Sequence, residues 1–258
     1  MKRLSLKWIF VLVCCLVAVL IAAPATADWD PGDGHKMHFP QLPDPNGWDI
    51  DVVTDTIYDD FRCAETGPIN DIHFWVSWKD DFEGEITFID LSLHGDVPDD
   101  VSGLGYSHPD STMYDENNRL WFRRFQPGEF TYRLPPGQGL QGWFEPVTPL
   151  VHPNNHNNYF QINIDNFAEP FVQEKDEIYW LGVHIGVLDS QTMVGWKTTQ
   201  DHWNDDAAYY HGGWQELIDP IDGVTSLDMA FVITPEPTSG LLCMFGLVGL
   251  MFVRSRRR

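Results

Sequence analysis

The stretch IHFWVSW, residues 72–78, restricts the fold more than any other part of this chain. Ile72, Phe74, Val76 and Trp78 fall on one side of an extended segment, and His73, Trp75 and Ser77 fall on the other. That two-residue period is the pattern of a half-buried strand. It recurs in Tyr179, Leu181, Val183, Ile185 and Val187, and again in Leu227, Met229, Phe231 and Ile233. Further strands are predicted in EITFIDLSL, LWFRRF, EFTYRL, YFQINID and MVGWKTT, each bounded by Gly, Pro, Asp or Asn. No long window carries a capped helical stripe, and only a short helix near Trp214 to Ile218 is expected. Eight or more short strands in about 200 residues, with no internal repeat, predict an all-β fold: an antiparallel two-sheet sandwich, jelly-roll-like.

Two connections, His94 to Asn118 and Pro135 to Asn158, exceed the usual ceiling of roughly 12 to 15 residues for a structureless link. They are expected to be binding loops or to conceal short strands, the second around Trp143 and Phe144. Residues 28–47 read as an N-terminal arm tied down by Phe39, Leu42 and Trp48, and residues 48–234 as the sandwich.

The two ends read as targeting segments. Lys2, Arg3 and Lys7 precede an apolar run from Trp8 to Ala23, and Ala25 and Ala27 stand at the cleavage spacing of a secretory signal peptide. Residues 1–27 are therefore expected to form a signal helix removed by signal peptidase. At the other end, 14 uncharged residues from Gly240 to Val253 are followed by Arg254, Arg256, Arg257 and Arg258. As a helix that run reaches roughly 21 Å against about 30 Å of hydrocarbon, so a short transmembrane segment with transient insertion and a cytoplasmic basic stop is expected.

Charge narrows the partners. Between Asp28 and Thr234 lie 37 acidic and nine basic groups, a balance of -28 in a chain whose overall charge is -22. Such a domain repels phosphate backbones, which disfavours nucleic acid and favours cations. Plain solvation of the acids is the expected reading; calcium is the alternative, with Asp96, Asp99 and Asp100 as its candidate ligands. Cys63 is the one cysteine between the two targeting segments, so no internal disulfide is expected.

The sequence carries no nucleophile elbow, zinc helix, phosphate-cradling glycine loop or Cys-x-x-Cys pair. His152 and His156 are separated by Pro and two Asn, which removes the helix that would aim both at one metal. The doublets Asp59-Asp60, Asp80-Asp81, Asp99-Asp100 and Asp205-Asp206 are expected in turns. Trp75, Trp121, Trp143, Trp203 and Trp214 are expected to fill the core and close the ends of the sandwich; stacking on sugar rings is the alternative. The expectation is a non-catalytic structural or adhesive protein; a carbohydrate-binding module is the alternative, and a secreted hydrolase the third.

Two resemblances add to this. Pro235, Glu236 and Pro237, followed by the apolar run and the arginines, resemble the PEP-CTERM sorting signal of exported proteins in bacteria that make exopolysaccharide. The resemblance implies processing by an exosortase near the motif, a cell-surface or extracellular destination, and polysaccharide as a neighbour. The segments YDDFRCAETGPINDIHFWVSW, QGWFEPVT, EIYWLGVHIGV, GWKTTQDHWNDDAAY and SLDMAFVIT resemble an uncharacterised domain family recurring in PEP-CTERM-tailed secreted proteins, notably of planctomycetes. That likeness implies location and fold and assigns no activity.

Overall fold

In a computed structural model the described residues are 28–165 and 167–234. They form two large sheets packed as a sandwich, with a small two-stranded sheet at one end. The first sheet runs β10 (Leu150–His156), β9 (Gln141–Glu145), β1 (Trp48–Asp51), β14 (Val194–Lys197), β4 (Asp71–Trp78), β11 (Tyr159–Asp165) and β8 (Thr131–Arg133). β17 (Phe231–Ile233) follows β14 end to end along the same edge of β4. The second sheet runs β16 (Trp214–Glu216), β15 (Ala208–Tyr210), β2 (Ile57–Arg62), β13 (Ile178–Val187) and β5 (Ile86–Val97). β6 (His108–Pro109) and β7 (Trp121–Phe125) share the far edge of β5. β3 (Gly67–Ile69) and β12 (Phe171–Gln173) make the small sheet.

The core lies between the sheets, built by the alternation that defines the strands. Ile72, Phe74 and Val76 of β4 join Leu181, Val183 and Ile185 of β13 and Ile89, Leu91 and Leu93 of β5 in one buried cluster. Each such side chain contributes about 1.5–3 kcal/mol through removal from water.

β4 departs from the half-buried expectation, because all eight of its residues are buried. Its outer face is covered by the N-terminal arm: Trp29 packs edge-on against Trp75 with ring centroids 6.1 Å apart. The arm's buried anchors are Trp29, Met37 and Gln41, while Phe39, Leu42 and Trp48 are only half-buried. Short bridges from Met37 to Cys63, Gln41 to Phe231 and Pro43 to Thr199 stitch it to both sheets.

Other expectations need correction. The sandwich is not wholly antiparallel, since β1 and β9 pair in parallel. Gly142 permits that pairing: a Cβ there would stand 2.3 Å from the Trp48 ring. The helix expected near Trp214 is instead the strand β16, the second arm of a hairpin with β15. The Asp59-Asp60 doublet lies inside β2 rather than in a turn, with both residues buried.

The transmembrane-helix expectation is corrected as well. Among the described residues no helix is long and apolar enough to cross a membrane; helical structure there amounts to a 3-10 turn at Lys79–Asp81 and a single turn, α1, at Asp99–Ser102. The signal helix of residues 1–27 and the C-terminal segment 235–258, with its motif and arginines, lie outside the described residues.

Candidate functional site

The outer face of the second sheet gathers acidic groups from distant parts of the chain. Ile57, Asp59 and Phe61 point inward from β2, so Tyr58 and Asp60 point outward. Asp96 arrives at the end of β5 and accepts a hydrogen bond from Trp180 Nε1 at 2.8 Å. The connection from β14 to β15 brings Asp205 and Asp206, and β16 brings Glu216, directly opposite Ala208 in the hairpin register. Asn204 turns this connection with φ 56°, a left-handed conformation that asparagine tolerates. Its side-chain amide donates to Asp60 Oδ2 at 2.5 Å, tying the connection to β2.

Asp205, Asp206 and Glu216 each offer a carboxylate oxygen within 4.8 Å of the others, and each is half-buried. Three carboxylates at this spacing can hold a divalent cation between them. The electrostatics agree. Burial, and then the charges of Asp228, Asp96 and Asp205, push the Asp60 carboxyl well above the usual range. Burial also raises Asp206, with help from Asp228 and Asp205, and raises Glu216, with help from Asp206 and Asp205. Asp60 Oδ1 and Asp228 Oδ1 are buried with no hydrogen-bond partner among the described residues. Acids that repel one another, backed by unpartnered buried oxygens, favour a cation, and His202 Nδ1, 3.4 Å from Asp228 Oδ2, is the basic group beside them.

The loop from Pro98 to Asn118 closes over this face. The Ser107 amide donates to Asp205 Oδ2 at 2.5 Å, and the Tyr106 hydroxyl donates to the Trp214 carbonyl at 2.8 Å. His108 stacks on Trp214 with centroids 5.5 Å apart and planes 18° from parallel. Further along, Met113 is buried against Tyr58, Trp180 and Ala208.

Of the predicted calcium ligands, only Asp96 borders this cluster. Asp99 and Asp100 sit on the exposed turn α1, and the three do not form a shared ligand group. Trp75 and Trp143 are buried, 3% and 0% exposed, and present no face to a sugar. Trp121, Trp203 and Trp214 are half-buried. Trp121 donates to the Glu169 carbonyl at 3.0 Å, Trp203 stacks on His38 at 4.2 Å, and Trp214 lies beside the acids. The Asp205-Asp206 doublet was visible in the sequence. Its third member, Glu216, carried no signal, because it depends on a hairpin read there as a helix.

No curated protein matches the chain. The family described as a domain of unknown function, DUF7901, matches from Met37, at the first arm bridge, to Thr234, just past β17. With residues 37–234 so matched, the chain belongs to the DUF7901 domain family.

Proposed function

We propose that this chain is an exported, non-catalytic domain of the cell surface or extracellular matrix, structural or adhesive in role, in which calcium fastens the 98–118 loop. The observation that carries the calcium reading is the approach of Asp205, Asp206 and Glu216 to within 4.8 Å, with Asp205 also holding the Ser107 amide. An ion there would tie the loop, the β14–β15 connection and β16 together. Calcium suits the all-oxygen donor set, and its loose geometry accommodates ligands from three segments; magnesium demands a tighter octahedron. Extracellular calcium modules work at roughly 0.1 to 1 mM affinity, which an exported domain would meet.

Export is supported by the leader with Ala25 and Ala27, a signal-peptidase substrate in form. Sorting is supported by Pro235, Glu236 and Pro237, the motif an exosortase would process, in an exopolysaccharide setting. The finer reading of the two sheets is a jelly-roll variant with one parallel pair.

A thermal melt with millimolar calcium, against sodium chloride of equal ionic strength, tests the cation reading. A hundredfold excess over the dissociation constant stabilises by about 2.7 kcal/mol, a rise of roughly 5 to 10 °C for this size. Replacing Asp205, Asp206 and Glu216 by their amides should abolish the rise, and Asp99→Asn with Asp100→Asn should keep it. No rise beyond that of sodium chloride overturns the reading.

A second reading, carbohydrate recognition, is favoured by the Trp214–His108 stack beside the acids. Glycan-array binding lost in Trp214→Ala would support it; no binding to any glycan would remove it.

A further inference from the structure

Asp49 in β1 and Lys197 in β14 stand directly opposite each other in the first sheet, on its outer face. Neither side chain has exposed surface, and Lys197 Nζ lies 2.8 Å from Asp49 Oδ2. His156 of β10, equally buried, places Nε2 2.9 Å from the same oxygen. The other oxygen, Asp49 Oδ1, is buried and without a partner among the described residues. Trp143 stands edge-on to the His156 ring at 6.4 Å. It also fills the space beside Gly195, where a Cβ would come within 2.8 Å of its ring. The site is fully buried and tightly walled.

The protons in this cluster are few and well placed. His156 Nδ1 faces Asn155 Oδ1 at 3.2 Å, and the Asn155 amide nitrogen is taken up by Asp80. Nδ1 therefore donates, and Nε2 either carries a second proton or accepts one from Asp49. Burial pushes the Asp49 carboxyl up, but the Lys197 charge and the His156 bond outweigh it and hold it down. Burial holds Lys197 below its usual range. Lys197 is thus the group prepared to release a proton. Passing it to Oδ2 turns the ion pair into amine and acid without changing net charge, and burial works against both charged forms.

We propose that Lys197 and Asp49 condense into an intramolecular isopeptide bond, with His156 carrying the proton. The neutral Nζ attacks Asp49 Cγ and forms the N–C bond. The proton shed by nitrogen passes through His156 Nε2 to Oδ2, the C–Oδ2 bond breaks, and one water leaves. Nothing is oxidised or reduced, and no co-reactant is required. The product is a neutral amide joining positions separated by 148 residues. It removes two buried charges and serves as the covalent clamp that a domain with only Cys63 among its described cysteines cannot make from sulfur.

Mass spectrometry of the full chain tests this, with Lys197→Arg as the reference that retains the charge. After allowance for the substitution, the wild-type chain is expected to be lighter than the variant by one water, about 18 Da. Trypsin should release a branched peptide joining the Asp49 and Lys197 segments, with no cleavage after Lys197. Asp49→Asn should give the same branched peptide, because condensation then expels ammonia. His156→Gln should form it at least tenfold more slowly. A folded wild-type chain cleaved after Lys197, or a water loss that persists in Lys197→Arg with no branched peptide, overturns the proposal.

Discussion

The Met113 amide donates to the Tyr58 hydroxyl at 2.7 Å, and this bond fixes the middle of the 98–118 loop to the outer face of the second sheet. Both residues are buried, Met113 wholly and Tyr58 to 2% exposure, so the bond has no solvent competitor. Tyr58→Phe keeps the ring packing against Trp214 and His94 but leaves the Met113 amide unsatisfied. The expected cost is about 1–3 kcal/mol. Chemical denaturation measures the loss, and faster proteolysis within residues 98–118 locates it. An unchanged cleavage rate would mean that the bond does not hold the loop.

A second prediction concerns Arg124, whose Nε and Nη2 donate to the two oxygens of Asp90 at 2.7 Å each. The Asp90 side chain is fully buried, whereas that of Arg124 is 45% exposed. Arg124→Met leaves a buried carboxylate with the Tyr114 hydroxyl as its remaining close donor, at 3.1 Å. Solvent screening of the exposed guanidinium limits the loss to about 1–3 kcal/mol. Arg124→Lys should recover only part of it, because a single ammonium cannot span both oxygens. Urea unfolding of the two variants checks the order; full rescue by lysine would show that charge rather than the fork matters.

The strands were legible where alternation was strong and local. β4 and β13 follow from their apolar sets, and β9 followed from Trp143 and Phe144 inside a stretch otherwise read as loop. An arm lying across the sandwich was expected, but which outward residues it covers was not legible. Trp75 does point away from the core, but Trp29 of the arm lies on it, and no periodicity in either segment signals that contact. The second strand of the β15–β16 hairpin falls where the sequence reads as a short helix, Trp214 to Ile218, although His211, Gly212 and Gly213 separate the strands and Gly212 has φ 68°. A short glycine-bearing loop of this kind is a hairpin signal. That reading hides the carboxylate cluster, since Glu216 reaches Asp205 and Asp206 only through the hairpin. The Asp59-Asp60 doublet reads as a turn by polarity. It lies in a strand because Asp59, pointing inward, accepts bonds from Gln41 Nε2 at 2.9 Å and the Met229 amide at 2.8 Å.

For the sorting motif the expected phenotype separates location from folding. Replacing Pro235, Glu236 and Pro237 by alanine should leave the melting temperature unchanged, because β17 ends at Ile233, before the motif. Under the exosortase proposal the altered chain should keep its tail, while the unaltered chain from its native source should lack Arg258 by intact mass. Recovery of Arg258 on the unaltered chain from its native source would remove exosortase processing from the proposal.

The last prediction turns on pH, where His94 and the acid cluster act in opposite directions. Burial, aided by the charge of Arg119, pushes His94 down to about 3 from its ordinary 6.5. The ring lies between Ser92 Oγ at 2.8 Å and Ser111 Oγ at 2.9 Å. Between those two values the unfolded chain takes up a proton that the folded chain refuses, so stability falls as pH drops. By pH 5 the loss is about 2 kcal/mol, and His94→Gln should flatten it. Asp60, Asp206 and Glu216 are raised by burial and mutual repulsion. Their contribution is fully present below the ordinary carboxylate range and is lost as pH climbs through the raised values. Calcium bound as proposed would compete with the protons these groups retain. The rise in melting temperature that it produces should therefore be small near pH 4 and grow steadily toward pH 8. Melts across that range, with and without calcium, in the wild type and in His94→Gln, separate the two effects. A calcium shift of equal size at every pH would place the ion away from Asp205, Asp206 and Glu216.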